Sequence, residues 1–243
     1  MSLMIRCAAE DGRNGKRWIM RNNYIGIFDV IGPIMVGPSS SHTSGAALIA
    51  WMARQILTGT PVRAVFTLYG SFADTYRGHG TDRALVGGLL GYRSRDVRIR
   101  DSFEHAKEAG LDFEFVIDPE SETKHPNTVD IFMESEDGHT LTVRGESIGG
   151  GRVRIVRLND IDVEFTGEYS TIIIGHSDEP GVAAYITGIL SDHDVNIAFM
   201  KLFRKENGSG SITVIESDEY IPDEAVADLK ANTMVNSVDV IEL

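Results

Sequence analysis

Gly37-Pro38-Ser39-Ser40-Ser41-His42-Thr43 stands directly before the most apolar part of the chain, residues 46–57. That apolar part predicts a helix, because Gly59 and then Pro61 supply the expected stop signals. The start of a helix carries unpaired backbone N–H groups and the positive end of the helix dipole. Four hydroxyl groups and an imidazole at this position therefore indicate a pocket for an anion or a carboxylate.

The simpler interpretation of this Ser loop is a helix cap, in which one hydroxyl accepts a backbone N–H and the others face solvent. A cap needs only one hydroxyl, so the run of them favours the anion site. The loop is not a Walker phosphate loop, because the Lys-Ser/Thr ending is missing. Ser41 beside His42 is not by itself a nucleophile–base pair, since geometry and not adjacency defines such pairs.

Composition limits the classes of protein to consider. The 243 residues are 42% hydrophobic and 24% charged, typical of a globular protein with one large or two ordinary domains. A net charge of −13 argues against binding to nucleic acid or to an anionic membrane. The longest apolar run, Ala46 to Ala53, is too short to span a bilayer, and without a signal peptide we expect a cytoplasmic location.

The hydrophobic pattern predicts an α+β protein with three segments. Residues 1–22 are rich in Arg and Lys without a usable period, which indicates a disordered or non-native arm. Residues 23–160 form the first expected domain, residues 167–243 the second, and the polar stretch 159–168 contains the boundary. The single cysteine, Cys7, lies in the arm, so an internal disulfide and a thiolate cage within this chain are excluded.

The first domain should mix strands and helices after the Ser loop. Gly70 is expected to open a loop containing Gly78-His79-Gly80-Thr81-Asp82, in which Thr81 caps a short helix over 82–90. A helix from Asp101 or Ser102 should end at Gly110. The expected strands are 62–69, 112–118, 125–134, 139–145 and 152–158, with a hairpin turn at Asp137-Gly138.

Two histidines outside the Ser loop are candidate proton carriers. His79 lies between two glycines, and His125 and Asn127 are two residues apart at a predicted strand start, which places them on one face. Imidazole titrates near neutral pH and suits a polar lyase site. The alternative is that each is an ordinary surface or core histidine. Zinc is less favoured, because none of the short ligand spacings occurs.

The segment Ser147-Ile148-Gly149-Gly150-Gly151 ends in three glycines. Without side chains, they allow another backbone or a small ligand to approach closely. The alternative is a flexible turn, and the sequence does not decide between the two.

The second domain should have the order βαββαβ of a ferredoxin-type module. The expected elements are strand 169–175, helix 180–193, strand 195–203, a turn at Asn207-Gly208, strand 211–216, helix 222–231 and strand 237–243. In the first strand–helix loop Pro180 suits the first helical turn, with Ser177 or Asp178 as cap. Its free N–H groups can hold a carboxylate, and Asn196 at the next strand adds a polar group; an ordinary capped loop is the alternative.

Four motifs in this order resemble the β subunit of iron–sulfur-dependent L-serine dehydratases: Gly37–Thr43, Gly78–Asp82, His125-x-Asn127 and Ser147–Gly151. The resemblance runs from about Asn23 onward. The first domain is similar to the allosteric substrate-binding domain of some phosphoglycerate dehydrogenases. The second resembles an ACT domain, whose characteristic loop here reads Asp178-Glu179-Pro180-Gly181.

The resemblance implies elimination of water from L-serine, giving pyruvate and ammonia without pyridoxal phosphate. In that family a four-iron–four-sulfur (4Fe-4S) cluster with one open iron acts as Lewis acid on the serine hydroxyl. In two-subunit members its cysteine ligands lie in the α subunit, which fits a chain whose lone Cys7 lies outside the matched region. The resemblance therefore implies activity only with an α subunit, and no metal ligand in this chain.

The resemblance also implies roles for individual residues. It implies catalytic roles for His79, His125 and Asn127. The residues expected to contact the substrate are Ser39, Ser40, Ser41, His42, Thr43, Thr81, Asp82, Gly149 and Gly150. The effector site, for L-serine or a similar amino acid, would comprise Asp178, Glu179, Gly181 and Asn196, with the ACT domains pairing into a homodimer. The rival hypothesis is a stand-alone amino-acid sensor without catalysis, which would have no use for His79 and His125.

Overall fold

The computed structural model describes residues 34–204 and 210–242. Over these residues it has two β-sheets with helices packed on them, which confirms the predicted α+β class. The predicted arm at residues 1–22, Cys7 within it and the predicted turn at Asn207-Gly208 lie outside the described residues. Across the described part of the chain, no helix has the length and apolar character required to cross a membrane.

A six-stranded sheet forms the first domain. Its strands are β1 (Pro61–Tyr69), β2 (Asp112–Asp118), β3 (Asn127–Ser135), β4 (Thr140–Gly149), β5 (Arg152–Leu158) and β6 (Ile161–Phe165). They lie in the order β2-β1-β3-β4-β5-β6, with β1 and β2 parallel and every other pair antiparallel. The helical elements are a π-helical turn (Ser40–Gly45), α1 (Ala46–Ile56), α2 (Gly70–Thr75), α3 (Thr81–Leu89), a 3-10 helix (Val97–Asp101) and α4 (Ser102–Glu108).

Helix α1 is buried on almost every side because it lies between the first sheet, α3 and the second domain. Its small residues permit close packing: a Cβ on Gly88 of α3 would lie 2.7 Å from the Cβ of Ala50. The apolar run beyond the Ser loop is therefore the central core helix, and the turn at its N-terminus is held in place by the whole domain.

The second domain has the predicted βαββαβ order. Its elements are β7 (Ser170–His176), α5 (Val182–Asp192), β8 (Phe199–Arg204), β9 (Ser211–Ser217), α6 (Asp223–Lys230) and β10 (Val235–Ile241). The strands lie in the antiparallel order β10-β7-β9-β8. One face of this sheet packs against α5 and α6, whereas Ile173, Val214 and Ile241 join the core that surrounds α1. The two domains thus share a core.

Two elements of the first domain differ from the prediction. Strand β6 lies in the stretch interpreted as a boundary and adds an edge to the first sheet, because Ile161, Val163 and Phe165 alternate as buried positions in only five residues. The segment after Gly70 is a short helix and not an open loop. Phe72 and Ala73 are buried there, and packing of these two side chains favours the helical turn.

Three predicted local features are wrong. Thr81 does not cap α3; the preceding position is Gly80 in a left-handed conformation (φ 67°), and Thr81 is itself a buried helical residue. Likewise α5 begins after Gly181 (φ 97°), so Pro180 precedes the helix and neither Ser177 nor Asp178 caps it. In both cases a glycine makes the turn by a conformation that other residues rarely adopt. Strand β8 starts at Phe199, which leaves Asn196 in the loop before it.

Candidate active site

The Ser loop forms a wide turn that joins directly onto α1. Ser39 has an extended backbone, and its Oγ accepts a hydrogen bond from the N–H of His42 at 3.1 Å. The carbonyl of Ser39 accepts from Thr43 N (2.9 Å), which closes the turn. π-helical turns are rare and occur frequently at functional sites. Capping thus accounts for the Ser39 hydroxyl, as the simpler interpretation required, whereas the hydroxyls of Ser41 and Thr43 contact His42 and His79.

His42 is the centre of the hydroxyl cluster. Its Nδ1 lies 3.3 Å from Ser39 Oγ and 3.1 Å from Ser41 Oγ, and its Nε2 lies 3.0 Å from the Oγ of Ser71 on α2. Burial lowers the pKa of His42, and the neighbouring His79 lowers it further, while a hydrogen bond to the backbone of Ser71 acts in the opposite direction. His42 is accordingly a neutral imidazole at pH 7, held by hydroxyl groups at both nitrogens.

His79 lies against His42 although the two belong to different segments. Their ring centroids are 4.7 Å apart, and the hydroxyl of Thr43 donates to the carbonyl of His79 at 2.8 Å. The Nδ1 of His79 is buried and has no hydrogen-bond partner among the described residues. Buried polar atoms are normally paired, so this ring nitrogen is open to a partner that the described residues do not supply.

Asn127 and His125 approach the same region from β3. The Nδ1 of His125 accepts from Asn127 N at 3.2 Å, so a neutral His125 carries its proton on Nε2. The Nδ2 of Asn127 donates to the carbonyl of Ser147 at 3.4 Å, while its Oδ1 is buried without a partner in the described structure. His125 itself precedes β3, so it and Asn127 do not share one face of a strand as the sequence predicted.

Helix α2 connects the two parts of the cluster. Gly70 forms a bridge with Asn127, and Ser71 N donates to the carbonyl of Pro126 at 2.8 Å. Gly70 has φ 48°, and a Cβ there would lie 2.7 Å from that same carbonyl oxygen, so the contact requires glycine. Ser71 therefore contacts His42 through its side chain and the His125–Asn127 segment through its backbone.

Ser147 closes the cluster on the β4 side. It is fully buried, its Oγ has no partner among the described residues, and a Cβ on Gly45 would lie 2.7 Å from its Cβ. Ser71 and Ser147 are the two site residues that the sequence analysis did not assign. The glycine run that follows Ser147 could have identified it as a site residue. Ser71 has no comparable sequence feature beyond its position after the end of a strand.

The remaining predicted substrate residues lie at different depths. Ser40 is half-buried as the first residue of the π-helical turn, and Thr81 is buried with its hydroxyl unpartnered in the described structure. Burial raises the pKa of Asp82, although its Oδ1 accepts from Arg83 N at 2.8 Å. Gly149 and Gly150 lie where β4 turns into β5, and Gly150 lines a separate cavity beside α1.

The predicted effector residues lie in the second domain. Asp178 forms an ion pair with Arg204 of β8 (Nε–Oδ2 3.1 Å), and Glu179 follows it as an exposed residue before Gly181. Asn196 is exposed, and its backbone N–H donates to Glu219 at 3.2 Å. The loop before α5 is exposed, and Gly181 has a left-handed backbone at the start of the helix. The loop is therefore accessible from solvent.

Metal ligation requires several ligating side chains close together in the fold. Across residues 34–204 and 210–242, no group of three or more His, Cys, Asp or Glu side chains is arranged to hold a metal ion. Iron–sulfur clusters require thiolate ligands, and the sole cysteine, Cys7, is outside these ranges. The described residues of this chain therefore do not fit a 4Fe-4S cluster.

The family model for the serine dehydratase beta chain matches residues 26–157, more than half of the chain and all of the polar cluster. The chain belongs to the serine dehydratase beta chain family. An ACT domain model matches residues 170–232, so the second domain is an ACT domain.

Relatives from named organisms agree with this assignment. The chain is 40% identical over 206 residues to the probable L-serine dehydratase, beta chain, of Bacillus subtilis (strain 168), covering 85% of this chain and 93% of that protein. It is 49% identical over 170 residues to the L-serine dehydratase, beta chain, of Peptoniphilus asaccharolyticus, covering 70% and 77%. It is also 33% identical over 138 residues to a D-3-phosphoglycerate dehydrogenase of Bacillus subtilis (strain 168), covering 57% of this chain and 26% of that enzyme.

Proposed function

We propose that this chain is the β subunit of a heteromeric L-serine dehydratase that converts L-serine to pyruvate and ammonia together with an α subunit. The observation that carries the proposal is the buried Nδ1 of His79, which lies beside the neutral ring of His42 and has no hydrogen-bond partner among the described residues. A proton carrier with an open nitrogen is what removal of a Cα proton or protonation of a leaving hydroxyl requires.

Each residue of the cluster is proposed to have its own role. His79 exchanges the proton with the substrate through Nδ1, and His42 positions His79 while remaining neutral. The Ser40 and Ser41 hydroxyls hold the substrate carboxylate at the π-helical turn, and the free Oδ1 of Asn127 accepts from the substrate ammonium. The hydroxyl of Thr43 donates a hydrogen bond to the carbonyl of His79, so its proposed role is to hold that loop.

The chemistry of serine elimination fits these roles. Loss of the Cα proton and of the β-hydroxyl as water leaves 2-aminoacrylate, which tautomerises to an imine and is hydrolysed to pyruvate and ammonia. The hydroxyls that bind the substrate carboxylate and the amide oxygen that accepts from its ammonium group together orient Cα toward one proton carrier. Such fixed orientation is a major source of rate enhancement. His125, with its proton on Nε2, is proposed as a second donor at the edge of the cluster.

The 4Fe-4S cluster belongs to the α subunit in this proposal. This assignment rests on the single cysteine of the chain and on the absence of a suitable ligand group among the described residues. The β subunit then supplies polar side chains to a site completed at the subunit interface. We place the complex in the cytoplasm.

The test is reconstitution. Purified alone, the chain should be colourless, bind no iron and release no pyruvate from L-serine. Co-expressed with a cysteine-rich α chain under anaerobic conditions, it should restore pyruvate formation, and the Cys7→Ser version should restore it equally well. A brown, iron-containing preparation of the isolated chain, or pyruvate formation by it, would contradict the subunit assignment.

The ACT domain is proposed to dimerise and to bind L-serine or a similar amino acid between two copies. The loop of one copy would contribute Asp178, Glu179 and Gly181, and the other copy would contribute Asn196. Strand β8 is an edge strand of the second sheet with Phe199 and Leu202 exposed. Edge strands of this kind are usually covered by a partner. The stand-alone sensor hypothesis shares this domain but does not account for the Nδ1 of His79, which has no partner within the described residues.

A further inference from the structure

A cavity of about 560 Å³ lies beside α1, on the side of the Gly149–Gly151 turn. Its walls come from α1, from the segment after α3, and from the start of β5. The residues that line it include Ser44, Trp51, Arg93, Arg95, Gly150 and Arg152. Its volume is within the range of small-molecule sites, about 300–1,000 Å³. Two residues of the triple glycine run, Gly150 and Gly151, thus border this cavity.

Three arginines line the cavity, and none of the described residues that line it is acidic. Within the described structure the guanidinium groups of Arg95 and Arg152 have neither an ion pair nor a hydrogen bond, and both residues are exposed. The next residue after Arg95, Asp96, is already held by Arg98 at 2.6 Å. Uncompensated positive charge is unusual in a chain whose net charge is −13.

Arg93 is the fixed member of the group. Its guanidinium lies 3.5 Å from the ring centroid of Trp51, and its Nη2 donates to the carbonyl of Glu242 at 3.4 Å. Burial lowers the pKa of Arg93, and the neighbouring Arg95 lowers it further, which shows that the two positive charges lie close enough to repel each other. A rigid guanidinium stacked on an aromatic ring is well suited to bind carboxylate or phosphate oxygens.

We propose that this cavity binds a small organic or inorganic anion carrying two or more negative charges, held by Arg93, Arg95 and Arg152. A monovalent carboxylate would leave most of the positive charge uncompensated, whereas a polyvalent anion relieves the repulsion between the arginines. A cavity of this volume accommodates a small molecule, and the Trp51 face on its wall is already covered by Arg93. The site is separate from His79 and does not depend on the proposed lyase activity.

The position of Arg93 gives the site a connection to the ACT domain. Glu242 immediately follows β10, and α1 itself packs against β10. An anion that draws Arg93 toward the cavity competes with its hydrogen bond to Glu242. Occupancy of the cavity is therefore expected to alter the hydrogen bonding at the contact between the two domains.

The test is calorimetry on the full chain with citrate and inorganic phosphate as probes, and with acetate, L-serine and hexaglutamate for comparison. Arg95→Gln and Arg152→Gln remove one positive charge each at the cavity. Arg100→Gln removes the same charge from an exposed arginine outside the cavity lining. We expect one molecule of citrate or phosphate per chain, bound at least about tenfold more weakly by each cavity variant and unchanged by Arg100→Gln.

The probes separate the outcomes. Binding of citrate alone supports a polycarboxylate ligand, and binding of phosphate alone supports a phosphorylated one. Tighter binding of hexaglutamate than of citrate would overturn the proposal in favour of an acidic protein segment, and displacement of citrate by L-serine would make the cavity part of the substrate site. Absence of heat with both anions, or equal weakening by Arg100→Gln, would also overturn it.

Discussion

The imidazole rings of His42 and His79 lie with their centroids 4.7 Å apart at a 43° angle, one on the π-helical turn and the other on the loop before α3. Their contact is reinforced by the hydrogen bond from Thr43 to the carbonyl of His79. Burial and the proximity of His79 both lower the pKa of His42. The His42 ring is therefore neutral at the pH at which an elimination needs a base.

His79 should be required for turnover and much less for folding. Replacing it by Ala removes the proposed proton carrier, and kcat of the assembled enzyme should fall about a hundredfold or more. The free energy of unfolding should change by only about 1 kcal/mol, because the side chain is half-buried. His139→Ala, at an exposed position, is the control. Parental turnover in His79→Ala would remove this residue from the mechanism.

Alanine variants of Ser39 and Ser40 should distinguish a helix-capping role from a substrate-binding role. Ser39→Ala removes the acceptor for His42 N and should cost about 1 kcal/mol of stability. Ser40→Ala should leave the melting temperature nearly unchanged and raise KM for L-serine, since one hydrogen bond to a charged group contributes about 1.5–3 kcal/mol. Thermal unfolding measures the stability of each variant, and steady-state kinetics measures its KM for L-serine. A destabilised Ser40→Ala with normal KM would support the capping interpretation for that residue instead.

Gly45 should not tolerate a side chain. An Ala Cβ would lie 2.7 Å from the Cβ of Ser147, so overpacking should lower the free energy of unfolding by about 1–3 kcal/mol. Gly188→Ala in α5 is the matched control, because its Cβ meets open space and Ala favours a helix by about 0.5–1 kcal/mol. Denaturant unfolding compares them. Recovery in Gly45→Ala/Ser147→Gly would identify the clash as the cause.

Asp239 should make the protein less stable as pH rises. Burial raises its pKa from 3.8 to about 6, with Lys230 opposing the shift. The folded state holds the proton more tightly than the unfolded chain, so the contribution to stability is full below pH 3.8 and is lost as pH rises through about 6. Asp239→Asn should therefore stabilise the protein at pH 8 by the order of 1–3 kcal/mol, with a smaller effect at pH 5.

The control for this pH dependence is Asp112→Asn, an exposed carboxylate on β2. Its effect on unfolding should be within about 0.5 kcal/mol at both pH values. Denaturant unfolding at pH 5 and pH 8 gives the comparison. An equal effect of Asp239→Asn at the two pH values would show that its carboxylate is solvated and that the pKa is not raised.

The ACT domain should respond to an amino acid through its first loop. Calorimetry of the full chain should show heat with L-serine. Asp178→Asn should weaken the binding by about tenfold or more, because the loop loses its ion pair with Arg204 and the proposed charged contact to the ligand. Asp192→Asn, exposed at the end of α5, should bind as the parent does. No heat with any common amino acid in a demonstrably dimeric sample would exclude this effector site.

Local pattern was sufficient for much of the fold. The strand at Asp112–Asp118 and the strand at Arg152–Leu158 match their predicted bounds, because alternation and flanking turn residues act within a few positions. The βαββαβ order of the ACT domain follows from the same signals. The same signals did not predict strand β6 and helix α2. Each is too short for a hydrophobic period to emerge, and each is stabilised by burial against distant elements.

The sequence by itself determined which polar residues are candidates for the site. These are the Ser loop before α1, His79 between two glycines, and His125 with Asn127. Only the tertiary structure decided their partners. It places His42 against Ser71 and His79, and Gly45 against Ser147, through contacts between segments far apart in the chain. Such contacts depend on how α1, α2 and β4 pack around one core, and local sequence does not encode the packing of distant elements.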